Sequence, residues 1–141
     1  LADLGTINIG ALNSTTTYDI ESISYTNAPL CASNDAANGS VTVNVNPLPT
    51  ASLGAGGNIC NGSSFNIPMT LTGTGPWSVA YTANGVAQTA IVVNASPFSW
   101  AVSPSVTTNY CITSVTDANC SNSNNSALNQ CAQVNVTPFP T

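Results

Sequence analysis

In a chain of 141 residues there is no Lys, Arg or His, against five acids: Asp3, Asp19, Glu21, Asp35 and Asp117. A surface without a cation cannot neutralise phosphates, which excludes nucleic acid and anionic membrane as electrostatic partners. Without His or Lys, the Ser/His and Cys/His nucleophile pairs and the usual general bases cannot be assembled, so neither a catalytic residue nor a cofactor is expected.

Only 4% of residues are charged. Asn, Ser and Thr must therefore supply the polar surface, while Val, Ile, Leu and the aromatics suffice for a core. Alternating apolar and polar residues, rich in β-branched and aromatic types, predict strands over 6–9, 18–25, 40–46, 64–71, 77–81, 86–93, 98–102, 110–115 and 132–136. Turn signals separate them: a linker-proximal turn over 54–57, then Gly73-Thr74-Gly75-Pro76, Asn84-Gly85, Ser96-Pro97, Ser103-Pro104 and the Asn/Ser tract over 119–125. Asn84-Gly85 is the sharpest hairpin signal, because a primed turn needs positive φ at both central residues. The pattern predicts an all-β chain of sandwich type. No apolar stretch is long enough to cross a bilayer, and no basic segment precedes an apolar one as in a signal peptide.

The sequence repeats itself. Thr15-Thr16-Thr17-Tyr18 returns as Thr107-Thr108-Asn109-Tyr110, 92 positions on. Val43-Asn44-Val45-Asn46-Pro47-Leu48-Pro49-Thr50 returns as Val134-Asn135-Val136-Thr137-Pro138-Phe139-Pro140-Thr141, 91 positions on. A fixed period of that size, closed by a Pro-x-Pro-Thr hinge, predicts tandem copies of one small domain. The expected organisation is the C-terminal strands of one repeat over 1–46, a Pro-rich linker over 47–50, a complete repeat over 51–137 and the start of a further linker over 138–141. About seven strands in the complete repeat is the number expected of an immunoglobulin-like sandwich. Trp77 is its expected core aromatic. Tyr110 opens the penultimate strand, where a tyrosine hydroxyl often ties down a corner, and Tyr18 holds the matching place in the partial repeat.

Five cysteines in a chain without His, and without a Cys-x-x-Cys spacing, predict disulfides and an oxidising compartment rather than a metal site. Topology predicts Cys60 with Cys120, at one end of the sandwich, and Cys111 with Cys131, across the last two strands. Cys31 matches Cys120 in the partial repeat, and its partner is expected about 29 residues before Leu1 at the repeat spacing. Asp19 and Glu21 share a strand face and offer calcium two carboxylates, but a solvated face accounts for them, since calcium takes more oxygens. The Asn-x-Ser/Thr sequons at Asn13, Asn38, Asn61, Asn94, Asn124 and Asn135 arise by chance in so Asn-, Ser- and Thr-rich a chain.

One set of segments carries a family resemblance. It comprises Ile59-Cys60-Asn61-Gly62-Ser63-Ser64, Gly73-Thr74-Gly75-Pro76-Trp77-Ser78 with Tyr81 and Asn84-Gly85, Ser96-Pro97-Phe98, Thr107-Thr108-Asn109-Tyr110, and Val115-Thr116-Asp117-Ala118-Asn119-Cys120. Together they resemble the immunoglobulin-like or PKD-like repeats of very long cell-surface and secreted proteins of Bacteroidetes, SprB-like gliding-motility adhesins among them. The resemblance implies type IX export, an extracellular place on the cell surface, and a part in adhesion or gliding. The second pair, Cys111 and Cys131, and the absence of basic residues depart from the usual pattern.

The expected function is a structural stalk module, with neighbouring repeats as its partners and surface glycans or other cell-surface proteins as partners of the parent adhesin. One rival is a carbohydrate-binding module with Trp100, Tyr81 or Phe98 as an exposed stacking platform. Another is a pilus-like filament subunit whose incomplete first repeat accepts a strand from a neighbouring chain.

Overall fold

The computed structural model describes residues 6–21, 23–24, 32–33, 39–124, 128 and 130–139. It divides into two compact units, Leu1–Asn46 and Pro47–Thr141. Every described element is a strand, and the fold is all-β with several sheets, consistent with a β-sandwich.

In the second unit the strands are β5 (Ala51–Leu53), β6 (Gly57–Cys60), β7 (Phe65–Leu71), β8 (Trp77–Ala83), β9 (Val86–Ala87), β10 (Ile91–Val93), β11 (Phe98–Val102), β12 (Thr108–Thr116), β13 (Ser121–Asn122) and β14 (Cys131–Thr137). One sheet runs β10-β8-β12-β14-β6, with β9 beside β8 and β13 beside β12; the other runs β11-β7-β5. Inward residues of both sheets share one core, with Val79, Val115 and Val134 from the first and Ile67, Met69 and Trp100 from the second. Alternation explains it: successive side chains leave opposite faces of a strand, so the buried set recurs at every second residue of β7.

That period breaks once, in β12. Its pairing with β8 slips between Ile112 and Ser114, a bulge that changes the phase so that Ile112 and Val115, three positions apart, are both buried. At the β8–β9 turn Asn84 and Gly85 have φ of 49° and 80°, the left-handed pair that a primed hairpin requires.

Several expectations are corrected. The run 86–93 is two strands, β9 and β10, and the linker-proximal stretch contains β5 and β6. These were illegible because Gly54, Gly56 and Gly57 read as turn residues, whereas β6 earns its pairing from β14, to which it runs parallel. The linker stretch 47–50 is docked on the second unit: Pro49 is fully buried, its carbonyl accepts Asn122 Nδ2 at 2.8 Å, and Thr50 exchanges hydrogen bonds with Thr72.

The first unit holds β1 (Thr16–Asp19), β2 (Ile23–Ser24), β3 (Ala32–Ser33) and β4 (Ser40–Val43), paired β1 with β4 and β2 with β3, all antiparallel. Residues 6–9, expected as a strand, are not one. The physical reason lies in the second unit, where β11, the strand next before β12, is held by its ladder to β7. No such neighbour is present for 6–9 among the described residues, and an extended segment without a ladder leaves its backbone groups to water.

Candidate functional site

β1 and β4 reproduce β12 and β14 bond for bond. Thr16 pairs with Val43 and Asp19 with Ser40, as Thr108 pairs with Val134 and Cys111 with Cys131. Ile20 N donates to Gly39 O at 3.1 Å where Ile112 N donates to Gln130 O at 3.2 Å. Val45 N donates to Thr15 Oγ1 at 3.1 Å where Val136 N donates to Thr107 Oγ1 at the same 3.1 Å. The break between β1 and β2 falls where β12 carries its bulge, and the β2–β3 pairing repeats that of β12 with β13.

What differs is the cover. In the second unit the inward residues of this pair, Tyr110, Ile112, Ala132 and Val134, are 8%, 3%, 1% and 0% exposed. Their counterparts Tyr18, Ile20, Val41 and Val43 line an apolar cavity of about 490 Å³ with Ile7, Ile9, Asp19, Gly39 and Ser40. There Ile7 is 87% exposed, Ile20 52% and Val41 60%. The opposite face is polar, with Thr17 and Thr42 joined hydroxyl to hydroxyl at 2.9 Å. A sheet with one apolar and one polar face normally buries the former. The signal for this site was the alternation of Ile7 and Ile9 and of Val41 and Val43; read only as strand pattern, it did not reveal an open face.

The residues singled out from sequence fall into three groups. The first is core. Trp77 is buried and its Nε1 donates to Thr72 O at 2.9 Å. Tyr110 stands edge-on to Trp100, with centroids 5.2 Å apart, and Tyr81 meets Trp100 in the same way at 4.6 Å. Burial, with Tyr81 nearby, raises the Tyr110 phenol above its ordinary pKa. Tyr110 is packed against the rings of Tyr81 and Trp100. Trp100 is 7% exposed, and Tyr81 and Phe98 are half-buried against the same core, so these rings do not make an open stacking platform.

Cysteines are the second group. Cys111 and Cys131 are bonded, joining β12 to β14, as an oxidising compartment allows. Cys60 and Cys120 are not bonded to each other. The premise that they share an end is overturned by the parallel pairing of β6 with β14, which sets Cys60 beside Thr137, past the Thr108 end of β12. Cys120 follows the opposite end of β12, a nine-residue strand, about 30 Å long at the usual rise. Cys60 is an exposed thiol. Cys31 lies outside the described residues.

The third group is acidic. Asp19 and Glu21 are both exposed, Asp19 ending β1 and Glu21 beyond it. Among the described residues no three potential ligands gather as a metal site.

Sequence reasoning missed Asp117. Its Oδ2 accepts Thr74 N at 2.9 Å, and its Oδ1 accepts Asn119 N at 2.8 Å and Cys120 N at 2.7 Å. Donation from Thr74, then Cys120 and Asn119, holds the carboxyl below its ordinary pKa against an opposing effect of burial. Asp117 thereby ties the turn after β12 to the β7–β8 loop. Asp-Ala-Asn-Cys is a legible turn sequence, but the Thr74 contact spans 43 positions and left no local mark.

No described helix is long and apolar enough to cross a membrane. No protein-family model matches the chain, and no curated protein is a significant match to it.

Proposed function

We propose that this chain is a structural, non-enzymatic segment of an extracellular adhesin stalk or surface filament, built from immunoglobulin-like units in tandem. The observation that carries this reading is the bond-for-bond match of β1 and β4 with β12 and β14 at the spacing of the sequence repeat. Two copies of one unit in one chain are the minimum of an array, and an array serves as a spacer. The mechanism is mechanical reach. The Cys111–Cys131 bond closes the last two strands of a unit, and the docking of Pro49 and Thr50 confines hinge motion to the residues before them. Many such units in series hold a distal tip, the part that meets glycans or proteins of another surface, away from the cell. Type IX export and a role in gliding are what the family resemblance adds.

Immuno-electron microscopy with antibodies raised against the chain is the test. Decoration of surface fibres at regular intervals is expected, with units head to tail along one covalent chain. Label confined to the cell interior, or fibres that fall into short subunits in detergent with disulfides intact, would overturn the reading.

A further inference from the structure

The open face of the first unit has a free edge as well as a free floor. Because Ile20 N donates to Gly39 O, alternation along β1 turns the N–H groups of Thr17 and Asp19 away from β4. Among the described residues, no strand lies on that side of β1. In the second unit the same edge of β12 is taken by β8: Tyr110 pairs with Ala83, Cys111 with Thr82 and Ile112 with Tyr81. Asn109, the counterpart of Thr17, is bound there through both N–H and C=O to Asn84. The inward side chains of β8, Trp77, Val79 and Tyr81, thereby extend the apolar face that β12 and β14 turn to the core.

Resting on the tandem-repeat reading, we propose that the Thr17–Asp19 edge and the apolar face of Tyr18 and Ile20 beside it form a strand-acceptor site. Its occupant is a strand with the side-chain pattern of β8, antiparallel to β1 and supplied by the same polypeptide array, as β8 is supplied to β12. Main-chain bonds to Thr17 and Asp19 give the affinity, and alternate apolar side chains continuing the face of Tyr18 and Ile20 give the register. The carboxylate of Asp19 at the edge disfavours an acidic residue opposite it, and β8 carries none.

The test titrates the full chain with a synthetic peptide of residues 75–94, which contains β8, its turn and β10. Saturable one-to-one binding is expected, slowing amide exchange at Thr17 and Asp19 by about ten-fold or more while the second unit is unchanged. Asp19→Pro deletes the outward N–H without touching the ladder to β4, so it should weaken binding by about ten-fold with the Ile20 amide still protected. Absence of saturable binding at millimolar peptide, or protection confined to the second unit, overturns the proposal. So does a dimer of the chain that protects Thr17 and Asp19 without peptide, for the occupant is then a second copy. Failure of the peptide with surface fibres still decorated removes the acceptor site alone; absence of the chain from the surface removes the stalk reading.

Discussion

Asp19 lies opposite Ser40 across β1 and β4 in the register in which Cys111 lies opposite Cys131 across β12 and β14. The cross-strand position that one unit closes covalently, with Cα atoms 4.2 Å apart, the other leaves as a carboxylate and a hydroxyl. The two units thus share a ladder and differ in how it is fastened.

The double variant Asp19→Cys with Ser40→Cys is therefore expected to oxidise spontaneously to a second bridge. Its loop would match the natural separation of 20 residues to within one, and closure of a loop that size stabilises by about 3 kcal/mol. Intact mass before and after reduction reports the bond, and the urea midpoint of the first unit reports the gain. Two thiols that stay reactive in air would contradict the register.

Asp117 should make stability depend on acid. A carboxyl whose pKa falls on folding adds stability above its unfolded pKa and loses it as pH drops through the lower folded value. With donors Thr74, Cys120 and Asn119 holding it low, the contribution is complete above about pH 5 and fades below it. Asp117→Asn, which turns an amide group toward backbone donors, should unfold at lower urea at pH 7 and show a shallower acid decline. Parallel acid titrations of both proteins would refute this.

Gly73 has φ of 101°, and a Cβ there would strike the Asp117 carboxylate and press on Pro49. Gly73→Ala is expected to cost about 1–3 kcal/mol from the backbone alone and to flatten the acid response with it. Gly85, at φ 80°, has open space around it, so Gly85→Ala should cost about 1–2 kcal/mol and leave the acid response intact. Equilibrium unfolding at pH 7 and pH 3 separates the two.

Trp100→Ala should cost about 3–5 kcal/mol, the usual penalty for emptying a large aromatic site, because the ring sits between Tyr81 and Tyr110. Val92, 67% exposed, should tolerate alanine within about 0.5 kcal/mol. Glycan binding that Trp100→Ala abolishes without unfolding the chain would restore the carbohydrate-binding reading.

Much was settled by the sequence alone. Periodicity of two over 64–71 and 98–102 determined strands and their inward faces, because a pleated strand has no other way to sort apolar from polar residues. Asn84-Gly85 determined its turn through the φ values only such residues adopt cheaply. The cross-strand pair Cys111 and Cys131 was legible because consecutive antiparallel strands bring their counterparts together. Tertiary structure decided the rest, wherever the partner is distant. β6 is a strand because β14 lies beside it, and that parallel pairing sends Cys60 to the opposite end from Cys120. Asp117 matters through Thr74, and Pro49 through Asn122. Ile7, Ile20 and Val41 carry the same alternation as buried residues, yet they stand open, since burial depends on what packs opposite and no local pattern can state that.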